Sequence, residues 1–351
     1  MDILSDLHHG DLFESFRILF ENRIGARLFH PIGLDWAEKG YWTYADNHPM
    51  PETRDMIRSQ YLDFKASDGL SPDGTYYVRQ NACHGNIYKM LSLDKFFKTP
   101  IDIVICSVAN HEAPFWKLCQ EHPNHPKLIR QTGNISESIN YEIIKNLMIA
   151  TIPEVPVPEK VNSVVYHPEF SEDVFRFELP TPIAKKRITN LMNCLPNYIP
   201  PLPEYFKLYE SYKKELVEFD WKMHGILGED GNLDTTRDIA EAIRKSSFIW
   251  HTKFGGDGYG FSIHYAFSCG RPVITIGRDY KNKMAGKLLE DKVTCIDLEK
   301  RKPGENIRLI RELSAPDKLN KICKEARQRF DEVVDFNKEF KNIKEFLGRL
   351  Q

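Results

Sequence analysis

The chain is poor in features that would mark a membrane, disulfide-built or nucleic-acid protein. None of its apolar runs approaches the roughly 18 residues needed to cross a bilayer. Residues 1–6 read as the start of a strand rather than a charged leader, so no membrane insertion and a cytoplasmic location are expected. The seven cysteines, at positions 83, 106, 119, 194, 269, 295 and 323, are odd in number and contain no C-x-x-C pair, which favours reduced thiols. A net charge of −2 gives no general attraction to nucleic acid, although a local basic groove is compatible with it. The glycines match neither the Walker nor the dinucleotide spacing. What is present, 41% hydrophobic and 28% charged residues, describes a soluble globular protein.

A length of 351 residues exceeds one typical core and fits two domains. The first half alternates strand and helix signals. Strands are expected at 2–7, 26–31, 101–108, 127–131 and 146–152, and helices at 10–23 and 113–121. The first helix carries Leu12, Phe13, Phe16, Leu19 and Phe20 at helical spacing, and 101–108 is a continuous apolar run suited to a central parallel strand. Residues 33–100 are rich in aromatics and show no order of elements. Pro153, Pro156, Pro158, Pro168, Pro180 and Pro182 mark the least helical stretch, apart from a short strand at 163–166, and the domain crossover is expected there.

A second series follows, with strands at 187–194, 220–226, 247–251, 271–276 and 293–298 and helices at 203–217, 235–245, 261–269 and 315–350. Two successive βα series imply an α/β fold of two doubly wound, Rossmann-like domains facing one another across a cleft. The expected division is 1–180, 181–314, and a helical 315–351 that crosses back to the first domain.

The segment 247–276 is the most informative. Ser247-Phe248-Ile249-Trp250-His251 reads as a buried strand, and Gly255, Gly256, Gly258 and Gly260 allow the backbone close to a ligand. The helix that follows would turn free N–H groups toward an anion before Gly270 ends it. Lys253 can give positive charge to a diphosphate, and Asp257 can bind sugar hydroxyls. The plain alternative is a helix start capped by Asp257, with Lys253 in solvent.

Asp257-Gly258-Tyr259-Gly260, followed by Gly270 and Pro272-Val273-Ile274, resembles the donor-site signature of retaining GT-B glycosyltransferases. In that family an acid-Gly-Phe-Gly run leads into a helix, an Ala-x-Ala-x-Gly-like turn and x-Pro-Val-Ile. Ala266 and Gly270 match the helix and turn. The resemblance implies a nucleotide-sugar donor, a UDP-sugar before others, with no further cofactor and no metal. It puts Asp257 on the transferred sugar with His111, and donor contacts at Gly10, Asn193, His224, Lys253, Gly256, Gly258, Tyr259, Gly260 and Tyr265. His8 and His9 fall on the acceptor side. The chain as a whole also resembles uncharacterised glycosyltransferases of bacteriophages, some of which modify hydroxymethylated pyrimidines in DNA, so such DNA and a saccharide both stand as acceptors.

Two departures qualify the donor. Tyr265 occupies the place of the family's second acid, and a phenol cannot give a bidentate grip on ribose hydroxyls. Asn193-Cys194-Leu195-Pro196-Asn197 lacks the Arg and Lys that the family puts after the first strand of its second domain, leaving Lys253 the phosphate role with Arg278 or Lys281 in support.

A rival reading rests on Asp6-Leu7-His8 after an apolar strand, which resembles the opening of calcineurin-like metallophosphoesterases, where a carboxylate and an imidazole share one metal. Asn110-His111-Glu112 resembles another of their elements, yet the bridging Gly-Asp-x-x-Asp and the late Gly-His-x-His are missing. Lys185-Lys186-Arg187 and the set Lys324, Arg327 and Arg329 read as solvated faces or phosphate contacts. Tyr41, Trp42, Tyr44, Tyr76 and Tyr77 read as core or as a stacking platform, and His122 with His125 as a turn.

Overall fold

The computed structural model describes residues 1–6, 10–41, 69–81, 86–133, 138–150, 156–181, 186–192, 202–225 and 228–351. These divide into two compact units. One takes the chain up to Ala150, the stretch ending at Phe170, and Phe336–Gln351; the other takes Ser171–Asp335.

In the first unit the order is β1 (Asp2–Ser5), α1 (Gly10–Phe16), β2 (Arg27–Pro31), α2 (Asp35–Glu38), β3 (Gly69–Leu70), β4 (Tyr77–Asn81), β5 (Asn86–Leu91), α3 (Leu93–Lys98), β6 (Ile103–Cys106), α4 (Glu112–Glu121), β7 (Lys127–Thr132), β8 (Asn146–Ile149) and β9 (Asn162–Val165). The strands form one sheet in the order β3-β4-β5-β2-β1-β6-β7-β8-β9 among the described residues. It is parallel from β5 to β9 and antiparallel across β3, β4 and β5. Ile3 pairs with Leu28 on one side and Ile103 on the other. Ile3, Leu4, Val104 and Ile105 are wholly buried, as expected of central strands covered on both faces.

Sequence and structure differ at the first helix and in 33–100. The helix expected over 10–23 is α-helical only as far as Phe16 and continues as a π-helical stretch, Arg17–Ile24, which Gly25 closes at φ 76°. The region without a legible order supplies α2, β3, β4, β5 and α3. Its β4, Tyr77-Val78-Arg79-Gln80-Asn81, lacks the apolar run of a covered strand because it lies near the sheet edge.

The second unit contains β10 (Arg187–Asn190), α5 (Leu202–Glu215), β11 (Asp220–Met223), α6 (Thr236–Arg244), β12 (Phe248–Trp250), α7 (Phe261–Ser268), β13 (Val273–Thr275), β14 (Cys295–Asp297), α8 (Pro303–Leu313) and α9 (Pro316–Val333). Its sheet runs β11-β10-β12-β13-β14, parallel throughout. Trp250 anchors the core, with Tyr209, Tyr212 and Trp221 rings 5.7, 5.3 and 5.7 Å away. Thr235 and Asp238 form a reciprocal capping box that starts α6.

The division between units departs from the expected one at both ends. The first crossing falls at 170/171 rather than 180, because the stretch that follows it is bonded into the second unit. Phe175 stacks on Tyr265 at 3.9 Å and accepts from Ser268 Oγ at 2.9 Å, while Arg271 donates to Glu178 O at 2.6 Å. At the far end 315–351 is not one body. α9 belongs to the second unit, burying Leu319, Ile322, Cys323, Ala326 and Phe330. The terminal helix α10 (Phe336–Leu347) belongs to the first, where Glu339 takes His167 N at 2.7 Å and Nδ1 at 2.6 Å.

Candidate functional site

The site grows from the carboxyl ends of the second unit's central strands. β12 ends at Trp250, and His251 and Thr252 continue buried before the chain turns into the glycine loop. Gly255, Gly256 and Gly260 hold φ at 64°, 74° and 70°, the left-handed region that side chains resist. Gly256 has a second reason to be glycine. A Cβ there would lie 2.3 Å from Asp279 O and 2.7 Å from Lys283 Nζ, so the loop packs directly on the turn that follows β13.

That packing sets the Asp257 carboxylate. Lys253 Nζ donates to Oδ1 at 2.9 Å, Gly258 N donates to the same oxygen at 3.1 Å, and His251 Nε2 stands 3.6 Å from Oδ2. Burial alone would push the Asp257 carboxyl up. The charge of Lys253 and the nearness of His251 more than offset it and hold the group well below the usual carboxylate range. Asp257 is thus an anion poised beside a cation, in a loop whose shape the glycines fix.

Beneath the loop lies a second set of polar groups. Lys283 Nζ donates to Gly255 O and, at 3.1 Å, to Asp257 O. Asp279 accepts from Gly255 N at 3.3 Å and from Tyr205 Oη at 2.9 Å. Tyr280 is fully buried under His251, ring centroids 6.3 Å apart, and burial drives its phenol well up. Sequence reasoning missed His251, Tyr205, Asp279, Tyr280 and Lys283. Only His251 had a signal, its position directly after a buried strand; Lys283 is 26 residues from Asp257 with no periodicity linking them.

The helix expected to face an anion is α7, whose N-cap is Gly260. His264 Nδ1 reaches back to Gly260 O at 2.8 Å. Tyr259 and Tyr265 are each 5% exposed, and their rings join Phe261 and Phe175 in one aromatic cluster, in which Tyr265 stacks on Phe175 and the other pairs are tilted. Tyr265 is therefore a packing residue on Phe175 in this structure. Gly270, at φ 70°, ends the helix where a Cβ would meet Phe177 at 2.4 Å. Arg271 beside it is buried and caps carbonyls of Ser246 at 2.8 Å and Arg244 at 2.6 Å, a structural duty.

Other expected donor residues lie at neighbouring strand ends. His224 follows β11, with its N–H on Asn190 O at 2.9 Å, and Asn190 Oδ1 takes Met192 N at 2.6 Å. Asn193 lies outside the described residues. Arg278 is exposed and pairs with Glu299 at 2.7 Å, and it also bonds Tyr205, which joins it to the polar set beneath the loop. Lys281 is likewise exposed.

In the first unit, His111 and Asp6 are brought together. Asp6 follows β1 and His111 precedes α4; Oδ2 of Asp6 is 2.9 Å from Nδ1 of His111 and accepts Ser107 N at 2.8 Å. Both side chains are closed to solvent, and the His111 ring stacks on Phe115 at 5.3 Å. His30, unmarked in the sequence, is buried nearby with Nδ1 on Ser5 O at 2.8 Å, and burial lowers it to about 3. Gly10 opens α1 on an exposed surface, with open space where a Cβ would stand. His8 and His9 fall outside the described residues.

The phosphoesterase reading finds no footing. Oδ2 of Asp6 is committed to Ser107 N and His111, His8 lies outside the described residues, and among those described no group of three metal-ligating side chains assembles. Of the minor clusters, Tyr41 is buried with its hydroxyl on Glu121, and His122 Nε2 lies 3.1 Å from both Phe96 O and Thr99 O. Arg329 pairs with Glu290 and Glu332 as a solvated face does, whereas Arg327, half-buried, pairs with Glu172 and Asp331 and also donates to Ser268 O at 3.0 Å, a structural tie to the end of α7. Trp42, Tyr44 and Lys185 lie outside the described residues.

Two α/β units, the first with a mixed, mainly parallel sheet and the second with a parallel one that carries a glycine loop at its carboxyl ends, have a fold of the GT-B glycosyltransferase type. Solved structures share it along the whole chain. HepE from Anabaena in complex with UDP and glucose matches at TM-score 0.62 and 12% identity, covering 100% of each chain. An alpha-glucosyltransferase (AGT) in complex with UDP matches at 0.59 and 10% identity, covering 99% of this chain and 100% of that one. A variant of TarM from S. aureus, in complex with fondaparinux, alpha-GlcNAc-glycerol and UDP, matches at 0.58 and 11% identity over 98% and 99%. No family model matches the chain, and no curated protein matches its sequence.

Proposed function

We propose that the chain is a glycosyltransferase that moves a sugar from a UDP-sugar to a hydroxyl group, with retention at the anomeric carbon. The observation that carries this is the Asp257 carboxylate, held ionised by Lys253 on a glycine loop at a strand end. It occurs in a fold whose solved relatives hold UDP.

The bond from the anomeric carbon to the β-phosphate oxygen breaks as a bond to the acceptor oxygen forms on the same face, and the acceptor's proton passes to the departing β-phosphate oxygen. Charge then develops on the diphosphate. Lys253, the loop N–H groups and the amino end of α7 stabilise it. Asp257 accepts from sugar hydroxyls, and His111, oriented by Asp6, acts on the transferred sugar. Lys253 and Asp257 are paired with each other, so a diphosphate that draws Lys253 away frees an acceptor oxygen for the sugar.

Gly10, His224 and the loop glycines complete the donor contacts; the family resemblance adds Asn193 to them and assigns His8 and His9 to the acceptor side. The acceptor is a hydroxymethylated pyrimidine in DNA or a saccharide hydroxyl.

A thermal-shift panel of nucleotide sugars tests the class first, with UDP-glucose expected to raise Tm. Mass spectrometry of products on hydroxymethylated DNA and on simple glycans then separates the acceptors. Lys253→Ala is expected to weaken UDP binding roughly 10- to 100-fold, the loss of one charge-assisted hydrogen bond. Unaltered transfer in both Lys253→Ala and Asp257→Asn removes the donor site from this loop.

A further inference from the structure

We propose that Lys283 is the positioning residue of the glycine loop: its buried ammonium ties the carbonyls of Gly255 and Asp257 and thereby fixes where the Asp257 carboxylate stands. The inference rests on the donor-loop reading above and deepens it.

The geometry is specific. Lys283 is 6% exposed, an unusual state for a lysine that finds no carboxylate as a direct hydrogen-bond partner among the described residues. Its Nζ instead spans two carbonyls of the same loop, those of Gly255 and of Asp257, the latter at 3.1 Å. Those carbonyls flank Gly256, the residue with no room for a side chain against Asp279 O and Lys283 itself. A backbone at φ 74° between two tethered carbonyls has one shape available to it. Remove the ammonium, and two carbonyls lose a donor while the turn loses its anchor. The carboxylate attached to that turn then loses its register with Lys253 and His251.

Charge is part of the device. Facing Lys283 from the loop are Lys253 and Asp257; from its own turn, Asp279 and the Tyr280 ring 5.8 Å away; behind them stand His251 after β12 and Tyr205 on α5. Burial lowers the ammonium to about 8, Asp257 and Asp279 acting against that and Lys253 with it. Above that pH the neutral amine keeps two protons but loses the charge that makes both bonds strong. The loop is therefore held tightly below pH 8 and loosely above it.

The test uses the full chain with Lys283→Met and Lys283→Arg. Hydrogen exchange of the peptide over 254–260, followed by mass spectrometry at one pH, reads the tie without any donor; it is expected to quicken at least tenfold in Lys283→Met and far less in Lys283→Arg. UDP titrations from pH 6.5 to 9.5 are expected to show wild-type affinity falling above pH 8, while Lys283→Arg, always charged, stays flat. Unchanged exchange in Lys283→Met overturns the proposal, as does a wild-type fall that Lys283→Arg shares. Quickened exchange with UDP binding absent from every protein supports the tie and sinks the donor reading. Should Lys283→Met fail to fold, the contrast between wild type and Lys283→Arg still decides.

Discussion

Asp6 and His111 meet at 2.9 Å, carboxylate Oδ2 to imidazole Nδ1, in a place closed to solvent. The same oxygen takes Ser107 N at 2.8 Å, so one carboxylate joins the ends of β1 and β6 and fixes the ring that follows. Such a pair sets which ring nitrogen carries the proton and where the other points. Asp6→Asn preserves shape but offers an amide where a carboxylate accepted. Transfer is expected to fall roughly 10- to 100-fold, as for other partners that orient a functional imidazole, with the thermal midpoint little changed. Activity matching wild type in a direct sugar-transfer assay removes this pair from the reaction.

The acid limb of stability should report His30. Burial lowers its folded value to about 3, against about 6.5 in the unfolded chain. The unfolded state thus binds the extra proton first. His30 stability is full above pH 6.5 and is lost as pH falls toward 3, with a slope of at most about 1.4 kcal/mol per pH unit. Asp257 adds to this only lower down, because its depressed value leaves its contribution whole until pH drops below the ordinary carboxylate range near 3.9. Urea denaturation at stepped pH should show wild type weakening between pH 6.5 and 4.5, and His30→Gln weakening much less there. Parallel curves for the two proteins rule out His30 as the source.

Two glycines that look alike in sequence should behave differently when changed to alanine. Gly256→Ala forces a side chain into a left-handed backbone and against Asp279 O at 2.3 Å, so a loss of roughly 1–3 kcal/mol is expected. Gly10→Ala meets open space at an exposed helix start and should leave stability within about 0.5 kcal/mol. If Gly10 lies against the donor phosphates, UDP affinity in Gly10→Ala drops while the midpoint holds. Equal stability losses in both variants contradict this account of the loop.

The contrast shows what a sequence carries. The strands 103–106, 248–250 and 273–275 were legible because burial on both faces demands continuous apolar runs, and the glycine loop because positive φ demands glycine. Residues 77–91 were not, since an edge hairpin half in water needs no run and β4 alternates only loosely. Asp257 and Lys253 are neighbours in the chain and were found together. Lys283, Asp279 and Tyr205 reach the same loop from two other elements, and no spacing rule joins them. The crossing at 170/171 escaped because proline density marks where a helix cannot be, not which core a stretch of chain will join.

Tyr265 offers the sharpest check on the donor assignment, since it occupies the place where the resembled family carries an acid. Its ring stacks on Phe175 at 3.9 Å, nearly parallel, and lies 5.6 Å from Phe261. Tyr265→Glu therefore does not restore an acid to a waiting site. It removes the stack and buries a carboxylate among aromatics, and a loss of about 3 kcal/mol is expected, with no gain in UDP affinity. Tyr265→Phe keeps the stack and deletes only the hydroxyl. If that hydroxyl binds the ribose, UDP affinity in Tyr265→Phe should fall about tenfold, the worth of one hydrogen bond; if the residue is packing alone, affinity and midpoint both stay. Calorimetric titration of UDP into the two variants separates these outcomes, and a Tyr265→Glu protein as stable as wild type would contradict the packing described for α7.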